Sequence, residues 1–372
     1  MRNDVFAVLL LGGASCLPGQ AHTAPTQASV LAGWAPYVEA RLWEAYDGIP
    51  IQQFESDWAV GFAPRAGRNV MFQRNRIEAG VEKGPWRLAF EFRQEAALRT
   101  TGETMQLVHR YKQRIKLATP TTFDVDAAAE GWSAKGLRAS RWFELPAPGA
   151  RAPRLNLALA LYGTPRVRDN TLSGQVAGGP ADEYTFRVAQ TDVNSRYRYP
   201  FMSEKFGGSG ASVSAALEWP LSDDTRLKLK LDDLWSRMTW RNVPRTQQSV
   251  DSAVAHYDEQ GYINYRPLLS GQNSQVSKTA AIRRSGAAAL ESRFGAWGAA
   301  LQIERYAGTT IPTVTGSHQF GWGKLSASVE TRFRTLGLAV ERGDFHVALQ
   351  ADRLKLSEAK SIGLNLGYRY QF

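Results

Sequence analysis

The sequence predicts an all-β fold, a transmembrane antiparallel up-and-down β-barrel of about 16 strands (roughly 14–18). Three observations carry that expectation. Apolar and polar residues alternate along segment after segment, as the two faces of a strand require. No run reaches the ~18 apolar residues of a spanning helix, and mean hydropathy is −0.34, so apolar character is spread over every second residue. Short connections alternate with longer ones, which sorts them onto two rims.

Taken in order, residues 1–21 read as a cleaved signal peptide and 22–372 as one barrel domain. Val5 to Leu11 is a short apolar core, and Gly19 and Ala21 supply small residues before a cleavage site at His22. Cys16 is the single cysteine, so disulfides and thiolate metal clusters are excluded, and removal of the signal takes it away. Strands are expected over Tyr37–Tyr46, Met71–Glu82, Arg87–Ala97, Gln106–Leu117, the stretch after Thr121, Leu137–Leu145 and Leu155–Tyr162. A short strand at Trp58–Phe62 is a further candidate. Arg166–Asp182 reads as a polar loop, with Tyr184–Gln190 and Ser195–Phe201 as shorter strands. Val213–Trp219 and Arg226–Trp240 resume the pattern, and Arg241–Lys278 reads as a large loop. Thr279–Arg293, Trp297–Ala307, Leu325–Glu341, Phe345–Leu354 and Ser361–Phe372 complete the series, with Thr309–Gly323 as a long loop.

The last segment, SIGLNLGYRYQF, has the cleanest alternation. Ile362, Leu364, Leu366, Tyr368, Tyr370 and Phe372 share one face; Ser361, Gly363, Asn365, Gly367, Arg369 and Gln371 share the other. Soluble domains fray at their ends, and an apolar strand running to the terminal residue needs a reason. A half-buried edge strand is the alternative for this stretch alone. The ending resembles the closing strand of Gram-negative outer-membrane β-barrels, which finish in Phe or Trp with aromatics at alternate positions. The resemblance implies outer-membrane lipid as surroundings. It also implies engagement of the barrel-assembly machinery through Tyr368, Tyr370 and Phe372.

Charge points to the interior. The formal net charge is +10, and Arg or Lys on a lipid face costs about 2–4 kcal/mol at mid-membrane. Cations should therefore face the lumen. The set comprises Arg74 and Arg76, then Arg110, Lys112, Arg114 and Lys116. Arg87, Arg93, Arg226, Lys228, Lys230, Arg332, Arg334 and Arg369 complete it. Acidic residues of the same parity, among them Glu78, Glu91, Glu95, Asp124, Asp126 and Glu130, allow the alternative that cross-strand ion pairs only hold the wall together. A surplus of cations favours a pore that passes anionic solutes or exports an acidic polymer such as an exopolysaccharide.

A non-conducting structural or adhesive barrel is the second reading, and an acyl hydrolase the last. The Gly-rich serine stretch around Ser209 lacks the G-x-S-x-G pattern, and the five histidines have no metal-ligand spacing. No cofactor or metal is expected. Cations dispersed over many strands line a tube and do not form the clustered patch that binds nucleic acid.

Overall fold

The computed structural model describes residues 33–372, apart from 147–150, 181–183, 203, 253–254, 258–259, 261–262, 266–267 and 371–372. The expected signal peptide and Phe372 lie outside the described residues.

β1 (Ala35–Tyr46), β2 (Arg68–Lys83) and β3 (Trp86–Thr101) form a meander. A helix, α1 (Gly102–Gln113), separates β3 from β4 (Thr121–Glu144). β5 (Arg154–Gly178), β6 (Tyr184–Asn194), β7 (Gly207–Pro220) and β8 (Thr225–Asp251) follow. A small hairpin of β9 (Ala255–Tyr257) and β10 (Ile263–Tyr265) stands outside the main sheet. Then come β11 (Leu269–Ala280), β12 (Ser285–Phe294), β13 (Trp297–Tyr306) and β14 (Thr309–Phe320). β15 (Gly323–Glu330), β16 (Thr335–Arg342), β17 (Phe345–Ala351) and β18 (Ser361–Arg369) end the chain.

The main sheet holds 16 strands and closes on itself, because β18 pairs antiparallel with β1 from Arg369 opposite Tyr37 to Ser361 opposite Ala45. Around the ring there are 14 lanes. Two lanes are shared end to end. β7 and β6 both lie between β5 and β8, and β12 and β11 both pair with the other edge of β8. The handover from β7 to β6 falls where β5 bends, at Thr164 with φ 45° and the fully buried Pro165. Closure leaves few backbone groups unpaired along the wall, which is what a hydrocarbon environment demands.

Both termini of the barrel and the tight connections at 84–85, 221–224, 295–296, 321–322 and 343–344 share one rim, here the near rim. The far rim carries the longer segments 47–67, 102–120, 252–268 and 352–360. The outward parity is mainly apolar, with Glu44, Gln73, Asn75 and Gln94 as a polar group on β1–β3. Leu336 is 68% exposed, Leu338 65% and Phe90 74%, and Leu157, Leu159 and Leu161 repeat the pattern on β5. Near the near rim, Trp86, Trp219, Phe294, Trp297, Trp322 and Phe345 form an exposed aromatic row. An apolar belt edged by amphipathic rings is the organisation of a transmembrane barrel.

Several expectations are corrected. Gln106–Leu117 is not a strand: Met105, Val108, His109 and Lys112 recur at helical spacing and pack onto the far-rim segment. Thr101 caps α1, its hydroxyl accepting from the Thr104 N–H at 3.1 Å. Leu325–Glu341 is two strands split by a turn at 331–334, and Thr279–Arg293 is split at 281–284. Arg166–Asp182 largely belongs to β5, whereas Ser195–Phe201 and Trp58–Phe62 form no strand. Much of Arg241–Lys278 is ladder, since β8 runs to Asp251 and β11 starts at Leu269. Thr309–Gly323 is mostly β14. Missing β14 and the β15–β16 split removed two strands together, so the assignment of rims survives.

Candidate functional site

The inward face of the barrel is built from alternate residues of the same strands that point leucines outward. At mid-height it is crossed by ion pairs. β2 and β13 are seven lanes apart in the ring, directly opposite, yet Arg74 on β2 is ion-paired with Glu304 on β13. The barrel is therefore flattened at this level. Arg74 also donates to Ser285 Oγ at 3.2 Å, and its guanidinium lies 4.3 Å from the Tyr306 ring centroid.

Arg93 is the centre of the layer. Its Nη1 donates to Asp233 Oδ1 at 2.8 Å and its Nε to Glu95 Oε1 at 2.8 Å. Ser212 donates to the same Asp233 oxygen at 2.5 Å. Side-chain exposure is 3% for Arg93 and 0% for Asp233, so this is a desolvated, bidentate pair. Arg76 reaches Glu91 at 3.2 Å and Asp232 at 3.4 Å, and Arg138 lies 3.7 Å from both Glu78 and Glu91. Tyr162 donates to Glu91 at 2.5 Å. Positive φ at Asp233 (56°) marks where β8 departs from regular strand geometry to bring Asp232 and Asp233, neighbours in sequence, into one polar cluster.

Two chambers lie against this layer. The larger, about 780 Å³, is a vestibule bounded by Arg41, Trp43, Lys228, Glu218, Gln302 and Asn365 among others. The smaller, about 60 Å³, is walled by Trp132, Val167, Trp240, Ile282 and Tyr306, with the Lys278–Asp169 and Arg283–Glu130 ion pairs at its edge. Glu95 lines both. Its carboxylate is held by Arg93 and accepts from the Tyr306 hydroxyl at 3.4 Å.

Apolar packing fills the far side. Trp43, Phe72, Tyr306 and Phe333 form an aromatic cluster inside the wall, with Trp43 and Phe72 stacked at 5.9 Å. Ile49, Trp58, Met71 and Met105 join α1 to the 47–67 segment. That segment is tied down by Arg332, which donates to both oxygens of Asp47 at 2.9 and 2.7 Å.

The expected lumenal cations separate into groups. Arg74 and Arg76 enter the mid-height layer. Lys228 and Lys230 line the vestibule but are paired, with Glu291 and Asp232 respectively, each at 2.8 Å. Arg226 shares their parity at the near rim, where Arg369 pairs with Glu82 at 2.6 Å. Arg110 and Lys112 sit on α1 and Arg114 is its left-handed C-cap, so with Lys116 just beyond they belong to the far rim and not to the wall. Arg332 and Arg334 occupy the 331–334 turn. Tyr368 and Tyr370 are exposed at the near rim. Ser209 lies on β7, and no described histidine side chain hydrogen-bonds a serine. Arg93 faces the lumen as expected; sequence reasoning missed its place as the hub, and the part of Asp232 and Asp233. Adjacent acids at the polar end of an alternating strand were the available signal.

No protein-family model and no curated relative matches the sequence. Among solved structures, the chain is similar to a deltaS2S3 mutant of the monoaromatic hydrocarbon channel TodX, at 10% identity and TM-score 0.46, over 91% of this chain and 90% of that one. The Pseudomonas putida toluene transporter TodX gives 11% identity and TM-score 0.43 over the same shares of 91% and 90%. A Pseudomonas aeruginosa FadL homologue gives 12% identity and TM-score 0.37, again over 91% and 90%. The barrel described here rests on its own strand pairing.

Proposed function

We propose that this protein is an outer-membrane channel for small solutes, closed in the conformation described and opened by rearrangement of the side-chain layer across its middle. The observation that carries the reading is Glu95. Glu95 lines both a vestibule of about 780 Å³ and a second chamber beyond, which supports a barrier between them made of side chains. Side chains exchange partners far faster than backbone refolds.

The finer expectation, a lumen selective for anions or exporting an acidic polysaccharide, draws support from the net charge of +10 and from Arg41 and Arg226 on inward parity. The pairing of Lys228 and Lys230 withdraws the unpaired lysine face on which it chiefly stood. The non-conducting platform keeps one favourable observation, the complete crossing of the lumen by ion pairs.

Planar-bilayer recording separates these readings. A channel is expected to show discrete openings, whereas silence at all voltages would leave the platform. In a potassium chloride gradient, a reversal potential displaced toward the chloride value would support anion selectivity. One near zero, or displaced toward potassium, would remove it.

A further inference from the structure

We infer that the vestibule is a binding site for a small zwitterionic solute, one carrying a separated carboxylate and ammonium group. The inference rests on the channel reading and names its solute class.

The argument is the placement of charge around the cavity. The part of its wall formed by β1–β3 contributes four arginines, Arg41, Arg74, Arg76 and Arg93, against the single acid Glu95. The part formed by β7–β15 contributes five acids, centred on Glu291 and Glu304, against two lysines. Charges of the two signs are equal in number and lie on facing walls; Arg74, Arg76 and Arg93 are closed across the lumen by Glu304, Asp232 and Asp233, which leaves Arg41 on one wall and Glu218 on the other without a cross-wall ion pair among the described residues. A solute of one sign gains at one wall what it loses at the other. A solute with both signs gains at each if it lies across the cavity.

Two groups can accept it without dismantling the mid-height layer. Arg41 is half-exposed and held only by Glu39 at 3.3 Å, and Glu218 has no ion pair among the described residues. The volume of about 780 Å³ suits a molecule the size of an amino acid or short peptide. Trp43 on β1 and Trp142 on β4 line the same cavity and supply apolar surface and an optical signal.

The test uses the full chain in proteoliposomes with four probes of similar size. These are glycylglycine as zwitterion, N-acetylglycinate as anion, glycinamide as cation and N-acetylglycinamide as neutral compound. Tryptophan fluorescence of the detergent-solubilised protein is titrated with the same four. Glycylglycine is expected to enter several-fold faster than either singly charged probe and to give a saturable fluorescence change. Arg41→Gln and Glu218→Gln should each lower the ratio of glycylglycine to neutral uptake, while Lys355→Gln in the far-rim 352–360 segment should leave it unchanged. Uptake of the neutral probe with no preference for glycylglycine would overturn the zwitterion assignment and leave the channel standing. Preference for N-acetylglycinate would overturn it in favour of an anion pathway. If nothing enters, the channel reading fails; the site assignment then fails too unless glycylglycine alone saturates the fluorescence change.

Discussion

The mid-lumen layer and the vestibule beside it use the same residue types on the same alternating strands, yet they are different materials. At mid-height, Arg93 and Asp233 are 3% and 0% exposed and reach each other across four lanes of the flattened barrel. In the vestibule, Lys228 and Glu291 are 39% and 40% exposed and meet between adjacent strands. Burial makes the first pair costly to disrupt, because removing one member strands a charge in a low-dielectric place. Solvent screens the second, which leaves it free to exchange partners. The comparison teaches that an arginine on a lumenal face is a strut or a ligand-facing charge according to whether an acid reaches it from across the barrel.

The largest effect expected from this difference is at Arg93. Arg93→Met should destabilise the barrel by about 3–5 kcal/mol, the usual result of breaking a buried pair from one side. Removing Asp233 as well should recover part of the loss in denaturant unfolding from lipid. Charge reversals on β8 sharpen the comparison within one strand. Lys230→Glu places a second acid against the buried Asp232 and should cost roughly 3 kcal/mol. Lys228→Glu, two residues away on a half-exposed pair, should cost less than about 1 kcal/mol. Equal effects at the two lysines would break the distinction between a partner buried in the layer, Asp232, and one exposed in the vestibule, Glu291. A smaller effect is expected outside both regions. Thr101→Ala removes the cap of α1 and should cost about 1 kcal/mol, read as earlier loss of far-rim protection in hydrogen exchange.

Much of the wall was legible in the sequence wherever lipid enforces alternation. Leu155 to Leu161 and Ser361 to Tyr370 face hydrocarbon on every second residue, and both were read correctly. The far ends of β5, β8 and β11 were not, because Gln248 bonds Gln190 and Ser249 bonds Ser270 through amide and hydroxyl groups, so polar groups lie on both faces. Without lipid on one side, a strand has no reason to alternate, and it reads as loop. The helix was misread for a different reason. Arg110, Lys112, Arg114 and Lys116 fall at period two by coincidence, while the packing positions Met105, Val108, His109 and Lys112 recur at period three to four. The lumenal parity of Arg74, Arg76, Lys228 and Lys230 was also legible. The partner of Arg74 was not, since Arg74 and Glu304 are 230 residues apart and meet only when the ring closes.

We propose that the mid-height layer of side chains, in which Glu95 lines both cavities, is the partition between the vestibule and the chamber beyond. Single-channel conductance of Glu95→Ala against the unmodified chain tests it most directly. Arg93 keeps Asp233 in the variant, so the barrel should hold while the partition is lost. The expected result is a several-fold rise in conductance or open time. Unchanged conductance in a folded Glu95→Ala protein would contradict the claim, as would a steadily open, large pore in the unmodified one.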